Sequence, residues 1–330
     1  MHTNKENILF RCDAGKIAEL GTGHLMRSIS LAKLLVKNSI CKEKNIIFLV
    51  KVNKRYELAK KILLKEKFKF KIVDISINDY SRDELDLILK NKFKTIIIDR
   101  IGAINKLFLK ILQNKNKKII LIDDSSNNKK KVDLAINSLI FKNVIKDQLS
   151  GLEYMILPSF FVKKNDKKKN KIEKVFVSFG GFDKNNIIKK IYKIFSNFKE
   201  IQFFIDSSNK KNSKNIFFYN RDNFFKKMSE SDLVICSGGL TSFDAINLNI
   251  PTLCIPQYKH QIRNIKTASE MGLLRYIKND KNLVLEVKMI MTKILNKKFK
   301  LIEMKKKQKK FSNIKKINIM IKKIKNIHEN

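Results

Sequence analysis

Long apolar runs are missing from this 330-residue chain: no stretch approaches the roughly 18 consecutive apolar residues that a membrane-spanning helix needs. The opening residues, MHTNKEN, carry no apolar core of the kind a secretory signal requires. Cysteine is scarce. Cys12, Cys41, Cys236 and Cys254 form no CxxC pair, and no histidine lies at metal-ligand spacing from them. That excludes a disulfide framework and a zinc module. The expectation is a reduced, soluble, cytoplasmic protein with no metal and no cofactor. No motif speaks to oligomeric state, and no internal repeat appears beyond an α/β rhythm.

Acidic residues are outnumbered 71 to 31 by basic ones, which leaves a formal net charge of +40. Arginine is nevertheless rare, at eight positions, so the excess is lysine, interleaved with Asn and Ile along nearly the whole length. A dedicated nucleic-acid surface concentrates charge on one face and uses arginine for bidentate contacts. A lysine coat spread over every exposed face is the simpler reading, and no specific nucleic-acid partner is expected.

Hydrophobic residues make up 43% of the chain, enough for two cores, and the length fits two domains. Short β-rich runs at 8–11, 46–50, 70–73, 95–98 and 119–122 alternate with helical patterns at 24–37, 55–65, 83–91 and 106–113. Strands of four or five apolar residues separated by helices imply a parallel sheet covered on both faces. After the lysine-rich 159–174 the rhythm restarts, with strands at 175–178, 201–205, 233–236 and 252–255 and helices at 185–195, 222–228, 242–248 and 261–271. The predicted organisation is a first Rossmann-like domain over 1–158, a linker over 159–174 and a second such domain over 175–296. A basic helix over 297–330 closes the chain. That tail repeats Phe311, Ile314, Ile317, Met320, Ile321 and Ile324 near helical spacing. It fits a helix packing back on the domains better than one lying weakly on an anionic membrane surface.

Three strand–glycine–helix junctions carry the chemistry. In RCDAGKIAELGTGHLMRS, Gly21 and Gly23 allow a sharp turn, and His24 follows on the first turn of the helix, at the sheet edge where open α/β folds bind ligands. Imidazole titrates near neutrality, so a neutral ring there can take a proton from water. Asp13 is read as its orienting partner or a sugar ligand, and Arg11 and Arg27 as substrate contacts. In VFVSFGGFDKNN, Gly180 and Gly181 suit a phosphate or the closing of a cleft. In ICSGGLTSFDA, Ser237, Gly238, Gly239 and Thr241 offer donors at a helix N-terminus. Asp244 lies one turn on, where a carboxylate can accept from a ribose diol. His260 and Gln261 follow the next strand and are read as reaching the same ligand.

Taken together, RCD…GTGHLMRS…LAK (11–33), IDDSS (122–126), VSFGGFD (177–183), SGGLTSFDA…PTL (237–253) and the His260–Gln261 pair resemble the UDP-sugar hydrolases of pseudaminic acid biosynthesis and their spore-coat polysaccharide relatives. The resemblance implies the glycosyltransferase-B architecture, two Rossmann-like domains facing across a cleft, with a second domain similar to that of the transferase that makes lipid II. It implies hydrolysis of a UDP-linked 2,4-diacetamido-2,4,6-trideoxyhexose to free sugar and UDP. His24 then activates water, Gly238 and Gly239 hold UDP, and Asp244 binds ribose. The sequence departs from the family pattern in a longer loop after Asp13, in Asp rather than Glu at 244, and in DRIG (99–102) where the family has D-x-Tyr. The alternative on the same architecture is a glycosyltransferase, with an acceptor hydroxyl in place of water.

Overall fold

A computed structural model describes residues 7–330 apart from 16–19, 52–54, 74–79, 92, 140–147, 164–170, 181–182, 207–211, 213, 220, 297–300 and 312–313. The chain divides into two compact units. One is Met1–Ile156 together with Asn313–Asn330, and the other is Leu157–Ser312.

The first unit is built on seven parallel strands: β1 (Asn7–Cys12), β2 (Ile46–Lys51), β3 (Lys69–Val73), β4 (Phe93–Asp99), β5 (Lys118–Ile122), β6 (Leu134–Asn137) and β7 (Leu149–Ser150). Their order across the sheet is β3-β2-β1-β4-β5-β6-β7. The central strands NILFRC and FKTIIID are buried almost throughout because helices cover both faces. Helix α1 (Gly23–Lys37) packs on β1 and β4. Helices α2 (Glu57–Lys65), α3 (Arg82–Leu89) and α4 (Lys106–Asn114) complete the crossovers.

Local sequence explains the helix starts. Ser81 caps α3 by accepting from Glu84 N–H at 3.3 Å, while Glu84 reaches back to Tyr80 N–H at 3.0 Å, a variant of the S-x-x-E capping box. Asn105 caps α4 by accepting from Leu107 and Phe108 N–H. Helix α4 then buries Phe108, Leu109 and Leu112 against Leu9, Ile96, Ile98 and Leu121 of the sheet. Full burial of each such side chain contributes about 1.5–3 kcal/mol.

The second unit repeats the plan. Strands β8 (Lys174–Ser178), β9 (Gln202–Asp206), β10 (Ile216–Tyr219), β11 (Leu233–Cys236), β12 (Thr252–Cys254) and β13 (Arg275–Tyr276) are all parallel, in the order β10-β9-β8-β11-β12-β13. Its helices are α5 (Ile187–Phe195), α6 (Phe224–Ser229), α7 (Leu240–Asn247), α8 (Lys259–Glu270), α9 (Leu283–Leu295) and α10 (Leu301–Lys310). In α5, Ile187, Ile191, Ile194 and Phe195 fall on one face and enter the core, where Phe195 stacks on Phe203 at 4.2 Å.

In each unit the order reverses beside the first strand, between β1 and β4 and between β8 and β11. Such reversals open a crevice at the carboxyl ends of the strands. The doubly wound α/β architecture expected from the sequence is therefore present in both units. Strands β6, β7, β10 and β13, of two to four residues each, were not among the runs read as strands. The basic tail is two helices rather than one. Helix α10 belongs to the second unit, whereas α11 (Ile314–Glu329) belongs to the first and buries Ile317, Met320, Ile321 and Ile324. Residue 159, placed in the linker by composition, is buried within the second unit. Among the described residues no helix is long and apolar enough to cross a membrane, and no cluster of His, Cys, Asp and Glu could hold a metal ion.

Candidate active site

At the reversal in the first unit, β1 delivers Asp13, β4 delivers Asp99, and the first turn of α1 delivers His24 and Arg27. The His24 Nδ1 atom lies 2.6 Å from Asp99 Oδ1. Arg27 grips the same carboxylate with two prongs, Nε to Oδ2 at 2.8 Å and Nη2 to Oδ1 at 2.5 Å, and Ser28 Oγ donates to Oδ2 at 3.4 Å. Burial alone pushes the Asp99 carboxyl up, but the charges and hydrogen bonds of Arg27 and His24 outweigh it and hold the group at about 2. Asp99 is thus an ionised, acceptor-only carboxylate. The Nδ1 atom of His24 must therefore carry the shared hydrogen, which leaves Nε2 as the outward nitrogen, an acceptor whenever the ring is neutral. The His24 side chain is 17% exposed and Asp99 is fully buried, so the ring edge alone reaches outward.

Asp13, read as the partner of His24, is occupied elsewhere. Its Oδ1 accepts from Arg11 Nη1 at 2.9 Å and from Lys51 N–H at 2.8 Å, and Arg100 Nε stands 3.8 Å from Oδ2. Arg11 also donates to Glu84 at 2.5 Å, and Arg100 to Glu84 at 3.1 Å. Arg11, Asp13, Glu84 and Arg100 form a buried, charge-balanced lattice under the sheet edge. Arg11 is 1% exposed, which corrects its reading as a substrate ligand. Arg27 is corrected in the same way: at 2% exposed, it serves Asp99 and Asp123. Gly21 takes a left-handed φ of 53°, and its carbonyl closes the loop by accepting from Gly15 N–H, while Gly23 opens α1. Asp99 is the residue the sequence reading missed. Its signal was the acid that ends a strand in DRIG.

The second unit assembles its own crevice. Ser237 N–H donates to Ser178 O at 3.4 Å, extending the pairing of β11 with β8, and a Cβ on Gly180 would come to 3.8 Å from Ser237 Oγ. Gly180 has φ 76°, the left-handed region that favours glycine. Gly181 lies outside the described residues. Gly239 is the N-cap of α7, and its carbonyl accepts from Ser242 Oγ at 2.8 Å. Thr241, on the first turn, is half-buried.

Gly238 is dictated by space. A Cβ there would meet Gln261 Cβ at 2.8 Å and Ile265 Cγ1 at 2.9 Å, so the SGG turn lies directly against α8. Gln261 is buried, and its Oε1 accepts from Gln257 N–H at 2.9 Å. Gln257, unremarked in the sequence, donates in turn to Phe179 O at 3.0 Å and accepts from Asn185 N–H at 3.3 Å, which staples the loops after β8 and β12 together. His260 is exposed and stacks on Tyr258 at 5.5 Å. One turn past Gln261, Asn264 is 5% exposed with an Oδ1 that meets no hydrogen-bond partner.

Asp244, read as a ribose ligand, points inward instead. It is 3% exposed, and its Oδ1 accepts from Ser159 N–H at 2.9 Å, while Asn247 donates to Ser159 Oγ at 3.0 Å. Burial pushes the Asp244 carboxyl up to about 7, against a smaller pull down from the hydrogen bonds of Ser159. With one methylene fewer than Glu, the acid anchors the short 3₁₀ turn Pro158–Phe161 to α7.

Residues 159–317 match the model of the glycosyltransferase family 28 C-terminal domain, a segment that takes in the SGG turn, Asp244, Gln261 and Asn264. A curated relative, an uncharacterized protein of Methanocaldococcus jannaschii, is 28% identical over 275 residues. The alignment covers 74% of this chain and 54% of that protein, so the chain spans about half the length of the curated relative it matches. Among solved structures, the chain is similar to MurG of Acinetobacter baumannii, with a TM-score of 0.65, 11% identity and coverage of 96% of this chain and 98% of that one. It is also similar to the spinosyn forosaminyltransferase SpnP, with a TM-score of 0.67, 10% identity and coverage of 98% and 99%. A UDP-N-acetylglucosamine 2-epimerase from Neisseria meningitidis, solved with UDP-N-acetylglucosamine, gives 0.59, 10%, and 96% and 99%. At these identities the likeness establishes the fold: two Rossmann-like domains of the glycosyltransferase-B kind.

Proposed function

We propose that this protein is a glycosyltransferase that moves a sugar from a nucleotide donor, a UDP-sugar, to an acceptor hydroxyl. The observation that carries the proposal is the match of 159–317 to the family 28 C-terminal domain, over the segment that holds the second-unit crevice. The solved relatives named above include a forosaminyltransferase, and none of the three is a hydrolase by name.

In this reading the diphosphate rests on the Ser237–Gly239 turn and the N-terminus of α7, aided by the left-handed turn at Gly180. Unpaired N–H groups and the helix dipole favour an anion there. The Asn264 Oδ1 atom and the outer edge of Gln261 supply polar contacts to the nucleotide. As the bond between sugar and diphosphate breaks, negative charge grows on UDP, and donors already in place stabilise it without reorganising. In the first unit, His24 Nε2 accepts the proton of the attacking hydroxyl while Asp99 holds the ring through Nδ1. Positioned proton transfer of this kind contributes about 10²–10⁴-fold in rate.

Hydrolysis of a UDP-linked diacetamido-trideoxyhexose, for nonulosonic acid or surface polysaccharide synthesis, is the second reading. It is supported by the GTGHLMRS segment and its order relative to VSFGGFD and SGGLTSFDA. Incubating the purified chain with a panel of UDP-sugars, with and without acceptor sugars and polyprenyl-linked sugars, separates the two. UDP release that depends on an acceptor is expected. Stoichiometric free sugar without acceptor would instead establish the hydrolase.

A further inference from the structure

The carboxylate that orients His24 is itself held from behind, and the chain of contacts ends at Asp123. Asp123 follows β5 in a left-handed conformation, φ 51°, which short polar side chains tolerate and most residues avoid. Its amide donates to Ile136 O at 2.8 Å. Its carboxylate then collects three donors: Arg27 Nη1, Ser138 Oγ at 3.0 Å and Leu139 N–H at 2.9 Å. Asp123 thus joins the ends of β5 and β6 to the first turn of α1.

Arg27 spends its remaining Nε and Nη2 on Asp99. A guanidinium is planar, so anchoring Nη1 on one acid while the opposite edge forks onto another fixes the plane of the ring of contacts. Asp99 can otherwise rotate about its side-chain bonds. With the fork in place its Oδ1 is pinned where His24 Nδ1 meets it at 2.6 Å. All members but the outer edge of His24 are buried: Asp99 and Arg27 are within 2% of full burial, and the Asp123 side chain is 5% exposed. At low dielectric, such a network rigidifies its members only when each donor and acceptor is met.

We propose that Asp123 is a positioning residue for His24, acting through Arg27 and Asp99. This rests on the reading of His24 as the proton acceptor in the reaction proposed above. Asp123 itself touches no substrate. Its part is to hold the fork of Arg27 square to Asp99, so that the imidazole keeps its Nδ1–H tautomer and presents Nε2 in one orientation. A neutral amide at 123 can keep the bond from Leu139 N–H on its carbonyl oxygen, but its NH₂ group, a donor, then faces both Arg27 and Ser138. The guanidinium then loses one of its two anchors.

The chain has four histidines, at 2, 24, 260 and 328, so ¹⁵N-histidine spectra of the full chain are assignable by subtraction with His24→Ala. At alkaline pH, wild-type His24 is expected in a single Nδ1–H tautomer, and Asp123→Asn is expected to show tautomer averaging at that ring. With the UDP-sugar found active in the panel, Asp123→Asn should lower kcat about 10-fold, below the roughly 10²-fold cost of a full ångström of misplacement. Its KM for the donor and its affinity for UDP should stay within about twofold of wild type, and the acid limb of its pH–rate profile should move. A purely structural role would lower the fraction of chain that binds UDP and leave the profile in place.

Arg27→Lys, which keeps the charge and loses the fork, should reproduce the Asp123→Asn behaviour. Ser138→Ala, a milder change to the same carboxylate, should lower kcat by a few-fold and serves if Asp123→Asn does not fold. If His24→Ala is inactive while Asp123→Asn, or Ser138→Ala in its place, matches wild type in ring signal or in kcat, the proposal is overturned and the reading of His24 survives. If His24→Ala turns over at the wild-type rate, the reading of the site fails and this proposal falls with it.

Discussion

The imidazole of His24 and the carboxylate of Asp99 meet at 2.6 Å across a chain separation of 75 residues. Because Asp99 is held ionised by Arg27, it can only accept, and the pair leaves one ring nitrogen of His24 for chemistry.

His24→Ala should therefore lower kcat by about 10²–10⁴-fold with little change in UDP affinity. Asp99→Asn should approach the same loss, on the order of 10⁴-fold at most, because an amide can donate to Nδ1 and trap the opposite tautomer. Steady-state kinetics with calorimetric UDP binding checks both. Wild-type kcat in either variant would remove His24 from the mechanism.

Asp244 gives stability a definite pH dependence. Folded, its carboxyl keeps its proton up to about pH 7, whereas in the unfolded chain it releases it near its ordinary 3.8. Between those values the folded state holds more protons, so this contribution is fully present below about pH 4 and is lost as pH rises through 7. Asp244→Asn should keep the bond from Ser159 N–H and abolish that slope, gaining roughly 1–4 kcal/mol over the parent at pH 8 and little at pH 4. Urea unfolding of both proteins across that range is the measurement. Parallel curves would mean that Asp244 is charged in the folded protein.

Gly238→Ala should cost about 1–3 kcal/mol by overpacking, since its Cβ would stand 2.8 Å from Gln261 Cβ and 2.9 Å from Ile265 Cγ1. Helix α8 must shift to admit it, so UDP affinity should fall as well. Calorimetry of UDP binding reads the second effect. Unchanged affinity would take the SGG turn out of the nucleotide site.

Glu84 is fully buried and pairs with two guanidinium groups, those of Arg11 and Arg100. Glu84→Ala removes one of the two carboxylates that face them and should destabilise the protein by about 3–5 kcal/mol. A lowered urea midpoint with an unaltered slope is the expected result.

The net charge of +40 should bind polyanions at low salt without sequence preference and release them steeply as salt rises. Titration of DNA duplexes of two unrelated sequences at several ionic strengths checks this. A preference that persists at physiological salt would point to a dedicated nucleic-acid surface.

Several parts of this architecture are legible in the sequence alone. The runs ILFR, IIFLV, TIII and KIILI announce buried parallel strands because helices cover them on both sides, so no polar alternation interrupts them. The turn at Gly180 was legible because a left-handed φ favours glycine, and the one at Gly238 because α8 leaves no room for a Cβ. The acids were another matter. Asp13 lies only 11 residues before His24 and looked like its partner, yet its carboxylate serves Arg11 and Lys51. Asp244 sits where a ribose ligand was expected, yet its partner is Ser159, 85 residues away in sequence.

What the amino-acid sequence determined by itself is the succession of strands and helices and the places where glycine turns interrupt it, since periodicity and backbone freedom are properties of neighbouring residues. What only the tertiary structure decided is which charge answers which: Asp99 for His24, Asp123 for Arg27, Glu84 for Arg11 and Arg100. Electrostatic and hydrogen-bonding partners are chosen by distance in space, and in a doubly wound sheet the strand order 3-2-1-4 brings together chain segments that are far apart in sequence.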